Sequence, residues 1–423
     1  MKKTLNAFDL IILGISAIIG AGIFVMIGSA VVGTAERVGA GPALIISIFL
    51  VGIACIFPAL CYAEFASMIP VSGSAYIYTF ATMGELPAWM MGWVLMLEYA
   101  IGAIAVASSW TGYLVKFCEG LPAVAPYMAK VPNWLLNDYR SLLESGETAP
   151  HIWGIPICIN LPAMFIMTVI AMILYKGIQE SANFAKLMVF VKITIITLFV
   201  VAGAFYVTPD NWTPFAPNGV KGILLGAFAI FYAYIGFDAI STAAEETKNP
   251  QKNLPIGLIG SLIICSVFYC LVTVVLTGMT PMESIDLKAP IAQAMISALS
   301  TSSGNIFVNA IPGIISVGAL AGLTSVLLVL QYGTTRILYA MARDGLLPPV
   351  MKKMHQKFNT PSVITVLSTI LILIGSIFIN MQVAAELAIF GTFTSFVIVC
   401  IGILILRKTE PDRPRPFKVP FCP

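Results

Sequence analysis

Residues 8–32 read FDLIILGISAIIGAGIFVMIGSAVV, and the class of the whole chain follows from how that stretch can fold. Crossing the hydrocarbon core of a bilayer takes roughly 20 predominantly apolar residues of helix, and this run supplies them. The preceding Met1-Lys2-Lys3 gives it the look of a signal peptide, but the run is long enough to span, so it reads as a retained first membrane helix. Gly14, Gly20, Gly22 and Gly28 punctuate it. Each glycine weakens a helix by about 1 kcal/mol relative to alanine. A break is therefore expected near IIGAGIF, residues 18–24.

The same character continues outward from this segment. Further apolar runs fall at about 42–67, 86–117, 157–175, 184–207, 220–243, 255–279, 308–341, 362–380 and 383–406, which predicts ten membrane helices. Of the 423 residues, 59% are hydrophobic and only 10% charged, with a mean hydropathy of +0.94. About a quarter of a soluble domain is charged, so these charges are too few to coat a water-soluble globule. In lipid every backbone polar group must be satisfied internally, which leaves helices or a closed barrel. The apolar runs are continuous rather than alternating, and helices win. Helix stops are read at Pro70 with Gly73, at Pro250 with Pro255, and at Pro348-Pro349.

Charge and cysteine content exclude several classes. A net charge of +3 argues for no nucleic-acid partner. None of the eight cysteines has zinc-ligand spacing, and most sit in apolar runs as small core residues. Cys118 and Cys158 flank one polar loop, which leaves a disulfide open there. The two histidines, His151 and His355, are predicted on opposite sides of the membrane, and no nucleophile elbow or phosphate loop has a suitable setting. The chain is read as a non-enzyme. Most of the 23 lysines and arginines fall on the side that holds the N-terminus and the 407–423 tail, which makes that side cytoplasmic, with both termini inside and the protein in the plasma membrane.

The sixth run repeats the signal of the first. Residues 226–246, GAFAIFYAYIGFDAISTAAEE, carry Gly226, Gly236 and then Asp238. The first and sixth helices correspond if ten helices form two repeats, about 8–207 and 220–406. A pair of interrupted helices in matching halves points to a substrate site at the membrane midplane. Freed N–H groups at a break hold a carboxylate, and freed carbonyls hold an ammonium. A zwitterionic amino acid presents both. Glycines that only permit close helix packing are the rival explanation, weakened by the matched positions. Phe231, Tyr232, Tyr234 and Phe237 cluster at the second break, where one could act as a lid.

Five ionisable residues fall in or near the membrane, where each is costly without a partner or a wet cavity. Glu64 and Glu386 are placed near segment ends, in structural or solvated roles, while Glu98, Lys192 and Asp238 lie deeper. Lysine changes protonation readily when buried. Lys192 is therefore a candidate proton carrier, with Glu98 or Asp238 as its expected partner. A static ion pair is the alternative.

Six stretches then resemble one known family in order along nearly the whole chain: IIGAGIF, PVSGSAYIYTF, GWVLMLEY, KGIQESANF, FYAYIGFDAISTAAEETKNPQKNLPIG and TRILYAMARDGLLP. The sequence is similar to the amino acid–polyamine–organocation superfamily, in its cationic amino acid transporter branch with bacterial relatives. The resemblance implies an all-α membrane protein of LeuT-type fold, two inverted five-helix repeats with helices 1 and 6 broken. It implies that the amides around Gly20, Ala21 and Gly22 hold the substrate carboxylate, and that carbonyls of Ile18, Tyr232, Ala233 and Ile235 take the amino group. Tyr232 matches the occluding aromatic. Lys192 matches the lysine that fills a sodium position in proton-coupled members, and Glu98 a glutamate near the same network, so protons are the expected coupling ion and no cofactor is implied. Ala21 replaces a frequent Ser or Thr, and the sequence ends at Phe421-Cys422-Pro423 where an eleventh helix is expected, which leaves room for an accessory helix or subunit. The expected function is amino acid transport by alternating access, by proton symport, with exchange against a polyamine and non-transporting sensing as rivals.

Overall fold

In the computed structural model, residues 5–420 are described except 35–36, 72, 145, 147–149, 153–154, 157, 177, 301–305 and 359. The end of the tail at 421–423, Cys422 included, therefore lies outside the described residues, as do most side chains of the KGIQESANF stretch.

The chain is helical almost throughout. It begins with α1 (Ala7–Ile18), a π-wound turn over Gly22–Met26 and α2 (Ile27–Val32), followed by a small hairpin of β1 (Gly33–Thr34) and β2 (Arg37–Val38). Next come α3 (Leu44–Met68), α4 (Ala75–Met83), α5 (Glu85–Glu119), the short α6 (Ala125–Met128) and α7 (Tyr139–Glu144), and the hairpin β3 (His151–Ile152)–β4 (Ile155–Pro156). The remainder is α8 (Leu161–Lys176), α9 (Ile178–Ala204), α10 (Gly219–Phe231), α11 (Pro250–Met279), α12 (Pro290–Ser300), α13 (Ile306–Arg343), α14 (Ser362–Phe378) and α15 (Met381–Thr409). Among the described residues seven helical spans are long and apolar enough to cross a membrane, and the bent pair α1–α2 makes an eighth. The expected fourth and ninth spans coincide with α8 and α14, which are apolar but shorter. The expected stop at Pro255 is corrected: α11 begins at Pro250 and runs through Pro255, which forfeits the one bond that its missing N–H would have made to the Gln251 carbonyl.

The long α5 packs along α13 and α15, α3 along α11 and α10, and α1 against α11, α13 and α9. Apolar side chains such as Phe57, Phe165, Phe190 and Phe390 face outward, as a lipid-solvated surface requires. Cys118 and Cys158 are free thiols, and the Cys158 thiol donates to the Asn137 carbonyl at 3.5 Å.

Glu64, in the last turns of α3, is fully buried rather than interfacial. Its carboxylate accepts from Arg407 Nη2 at 2.7 Å and from the Val419 amide at 2.7 Å, with Arg415 Nε at 3.4 Å. Arg415 also donates to the Leu406 and Glu410 carbonyls, which caps the end of α15 and folds the tail back under α3. Removing one member of a buried ion pair leaves the other charge uncompensated, at about 3–5 kcal/mol. Glu64→Ala is expected to lower the thermal unfolding midpoint in detergent markedly, whereas Glu410→Ala, whose pair with Arg413 is solvent-exposed, should barely move it.

Candidate functional site

Helix α1 stops at Ile18 because Ile19 turns to φ −75°, ψ 100°, and the chain re-enters a helical path only at Gly22, bent by 42°. The second break is built differently. α10 ends at Phe231, a single tight turn covers Tyr232–Tyr234, and Ile235 is extended. Gly236 then takes φ +105°, a conformation open to glycine at little cost, before 3₁₀ turns run from Phe237 to Glu246. The two breaks touch backbone to backbone. A Cβ on Gly22 would strike the Cα and Cβ of Ala233, and one on Gly236 would lie 3.2 Å from the Ala17 carbonyl oxygen. The substrate-site residues expected from the sequence, Ile18, Gly20, Ala21, Gly22, Tyr232, Ala233 and Ile235, are all buried and gathered at this junction.

Lys192 reaches the same junction from α9. It is completely buried, and its ammonium donates to the Ser16 carbonyl at 3.0 Å, the Ile19 carbonyl at 2.8 Å and the Ser325 hydroxyl at 3.1 Å. Three donors meet three acceptors, two of them on the unwound end of α1. The expected carboxylate partner is corrected: neither Glu98 nor Asp238 bonds to Lys192. Asp238 accepts from the Tyr99 hydroxyl and from Ser74 at 3.4 Å, and Glu98 accepts from Thr392 at 2.6 Å. One oxygen of each carboxylate, Asp238 Oδ1 and Glu98 Oε2, has no partner. The structure thus separates an ammonium held by two backbone carbonyls and a serine from two carboxylates held by hydroxyls.

Of the four aromatics at the second break, three pack ring against ring. Phe231 stacks on Phe393, Phe237 packs with Tyr62 and Phe396, and Tyr234 sits edge-on to Tyr269. Tyr232 instead extends its hydroxyl toward the Gly102 carbonyl of α5 at 3.4 Å, which places it between the break and the opposite wall.

The two ends of the bundle differ. At the basic end Arg336 pairs with Glu246 at 2.7 Å with both side chains largely buried, Lys186 pairs with Asp9 at 2.6 Å, and Tyr76 bonds Asp344 at 2.8 Å. The Leu5 amide donates to the Glu246 carbonyl there and the Lys248 amide to the Leu5 carbonyl, which pins the residue just ahead of α1 beneath the second break. The other end holds a cavity of about 360 Å³ lined by Val25, Ser109, Lys116, Asp138, Asp286 and Lys288 among others, so it reaches from charged loops to the π-wound turn. Glu386 lies at this end, half exposed and 3.7 Å from Arg37, not simply solvated.

Sequence reasoning missed Tyr269 on α11 and the Arg336–Glu246 pair. A tyrosine in an apolar run carries no signal of its own. The arginine and the glutamate could have been paired only as complementary charges flanking spans on one side.

A profile of the amino acid permease family matches residues 5–423. The chain is 43% identical to the methylthioribose transporter of Bacillus subtilis (strain 168) and 42% identical to the branched-chain amino acid permease BcaP of the same organism, in each case over 100% of this chain and 85% of the relative. It is 37% identical to the chloroplastic cationic amino acid transporter 9 of Arabidopsis thaliana, over 97% of this chain and 67% of that protein.

Proposed function

The chain belongs to the amino acid permease family of membrane transporters, and from that premise we propose that it carries neutral, apolar amino acids across the plasma membrane in symport with protons, with both termini cytoplasmic. The observation that carries the reading is the meeting of two unwound helices at Gly22 and Ala233. In this reading the amides at Gly20, Ala21 and Gly22 take the carboxylate, aided by the positive end of the resumed helix. The carbonyls of Ile18, Tyr232, Ala233 and Ile235 take the ammonium, and Tyr232 closes over the side chain. The likeness to a branched-chain amino acid permease favours neutral substrates.

Transport then proceeds by alternating access between the repeats 8–207 and 220–406. Substrate enters through the cavity at Lys116 and Lys288 while Arg336–Glu246 bolts the cytoplasmic end. Protonated Lys192 has a donor for each of its three acceptors, and the neutral amine has only two. Losing the proton therefore releases one contact, which ties protonation to the shape of the first break. Glu98 and Asp238, each with an unpartnered oxygen, complete the proton path.

Uptake into proteoliposomes tests this, with radiolabelled isoleucine, arginine and glutamate, with methylthioribose as competitor, and with and without an inward proton gradient. Gradient-stimulated isoleucine uptake is the expected result. Uptake that needs preloaded amino acid and ignores the gradient would replace symport with exchange. Strong competition by methylthioribose with no amino acid uptake would move the substrate class to thiosugars.

A further inference from the structure

Both carbonyls at the centre of the proposed ammonium seat already have a donor within the protein. The Tyr269 hydroxyl, on α11, lies 2.9 Å from the Ile18 oxygen and 2.6 Å from the Ala233 oxygen. Its one proton is shared between the last carbonyl of α1 and a carbonyl of the second break, so a single hydroxyl spans the two unwound segments. The side chain is fully buried, and its ring is fixed edge-on against Tyr234 at 5.4 Å. Tyr269 therefore has little freedom to do anything but hold these two oxygens at a set separation.

A substrate ammonium would make the same connection. It would donate to the same two oxygens and draw the same two helices together. A carbonyl has two lone pairs, so the seat accommodates the ammonium beside the hydroxyl. Without substrate, a buried carbonyl lacking a donor carries a desolvation cost, and the junction would tend to open or take in water. The hydroxyl removes that cost from within the protein.

We propose that Tyr269 is a positioning residue that stands in for the substrate's ammonium, holding Ile18 to Ala233 so that the unloaded carrier can pass between its two forms. The proposal rests on the alternating-access reading above. It separates two modes of transport. Net uptake requires the unloaded carrier to return, whereas exchange returns the carrier loaded and needs no substitute for the ammonium.

The test is Tyr269→Phe in proteoliposomes with radiolabelled isoleucine, assayed as net uptake into empty vesicles and as exchange into vesicles preloaded with unlabelled isoleucine. Net uptake is expected to fall about tenfold, the effect of one lost hydrogen bond on a rate, while exchange stays within about twofold of wild type. Thr277→Val, two turns further along α11, loses a buried hydroxyl that bonds the Thr273 carbonyl of its own helix, away from the junction, and should alter neither mode. Equal loss of both modes in Tyr269→Phe, with Thr277→Val normal, makes Tyr269 a structural strut and overturns the proposal; so does wild-type behaviour in both. A wild-type protein that exchanges without net uptake overturns the symport reading instead, a separate outcome read before the variant is made.

Discussion

Lys192→Ala is expected to abolish stimulation of uptake by an inward proton gradient, with the gradient-driven rate falling tenfold or more. The ammonium is wholly buried and its three bonds end on Ser16, Ile19 and Ser325, so alanine leaves two carbonyls and a hydroxyl without a donor at the point where α1 unwinds. One lost bond to a charged group is worth about 1.5–3 kcal/mol, which on a rate is one to two orders of magnitude. Lys192→Met, which keeps most of the packing volume, separates charge from packing. If it retains gradient-stimulated uptake, Lys192 carries no coupling proton. If it transports at a rate indifferent to external pH, the coupling is assigned to Lys192.

Gly22→Ala is expected to lower transport of every substrate roughly ten- to a hundredfold. The added methyl would meet the backbone of Ala233, which has no rotamer to move aside. Overpacking costs about 1–3 kcal/mol even where side chains can adjust, and the same energy on a rate gives that range. Gly313→Ala in α13 has open space around its Cβ and serves as the matched control, with transport near wild type. Normal uptake by Gly22→Ala would mean that the two breaks do not stay in contact during transport, and would remove the main support for a substrate site between them.

These two residues also show what was legible. Gly22 could be found because several glycines in one long apolar run contradict a continuous helix, and the contradiction recurred at Gly236. Lys192 could be found because an isolated charge in a lipid-facing run is expensive. Its partners could not. The sequence offered Glu98 and Asp238 as the complementary charges, but the atoms that hold the ammonium are mostly backbone carbonyls, which every residue carries and which become available only where a helix is broken.

The same distinction divides the rest of the molecule. Membrane class, helical class, most span positions and the site of both breaks were determined by the sequence alone, because lipid forces each span to satisfy its own backbone and so to write its signal locally. Contacts between distant spans were decided only by tertiary structure. Glu64 finds Arg407 across 343 positions, and Tyr269 finds Ile18 across 251. Such pairs depend on which faces of the helices pack together, and in a bilayer nearly every face is apolar, so the hydrophobic pattern that would choose a face in water says little about which neighbour it meets.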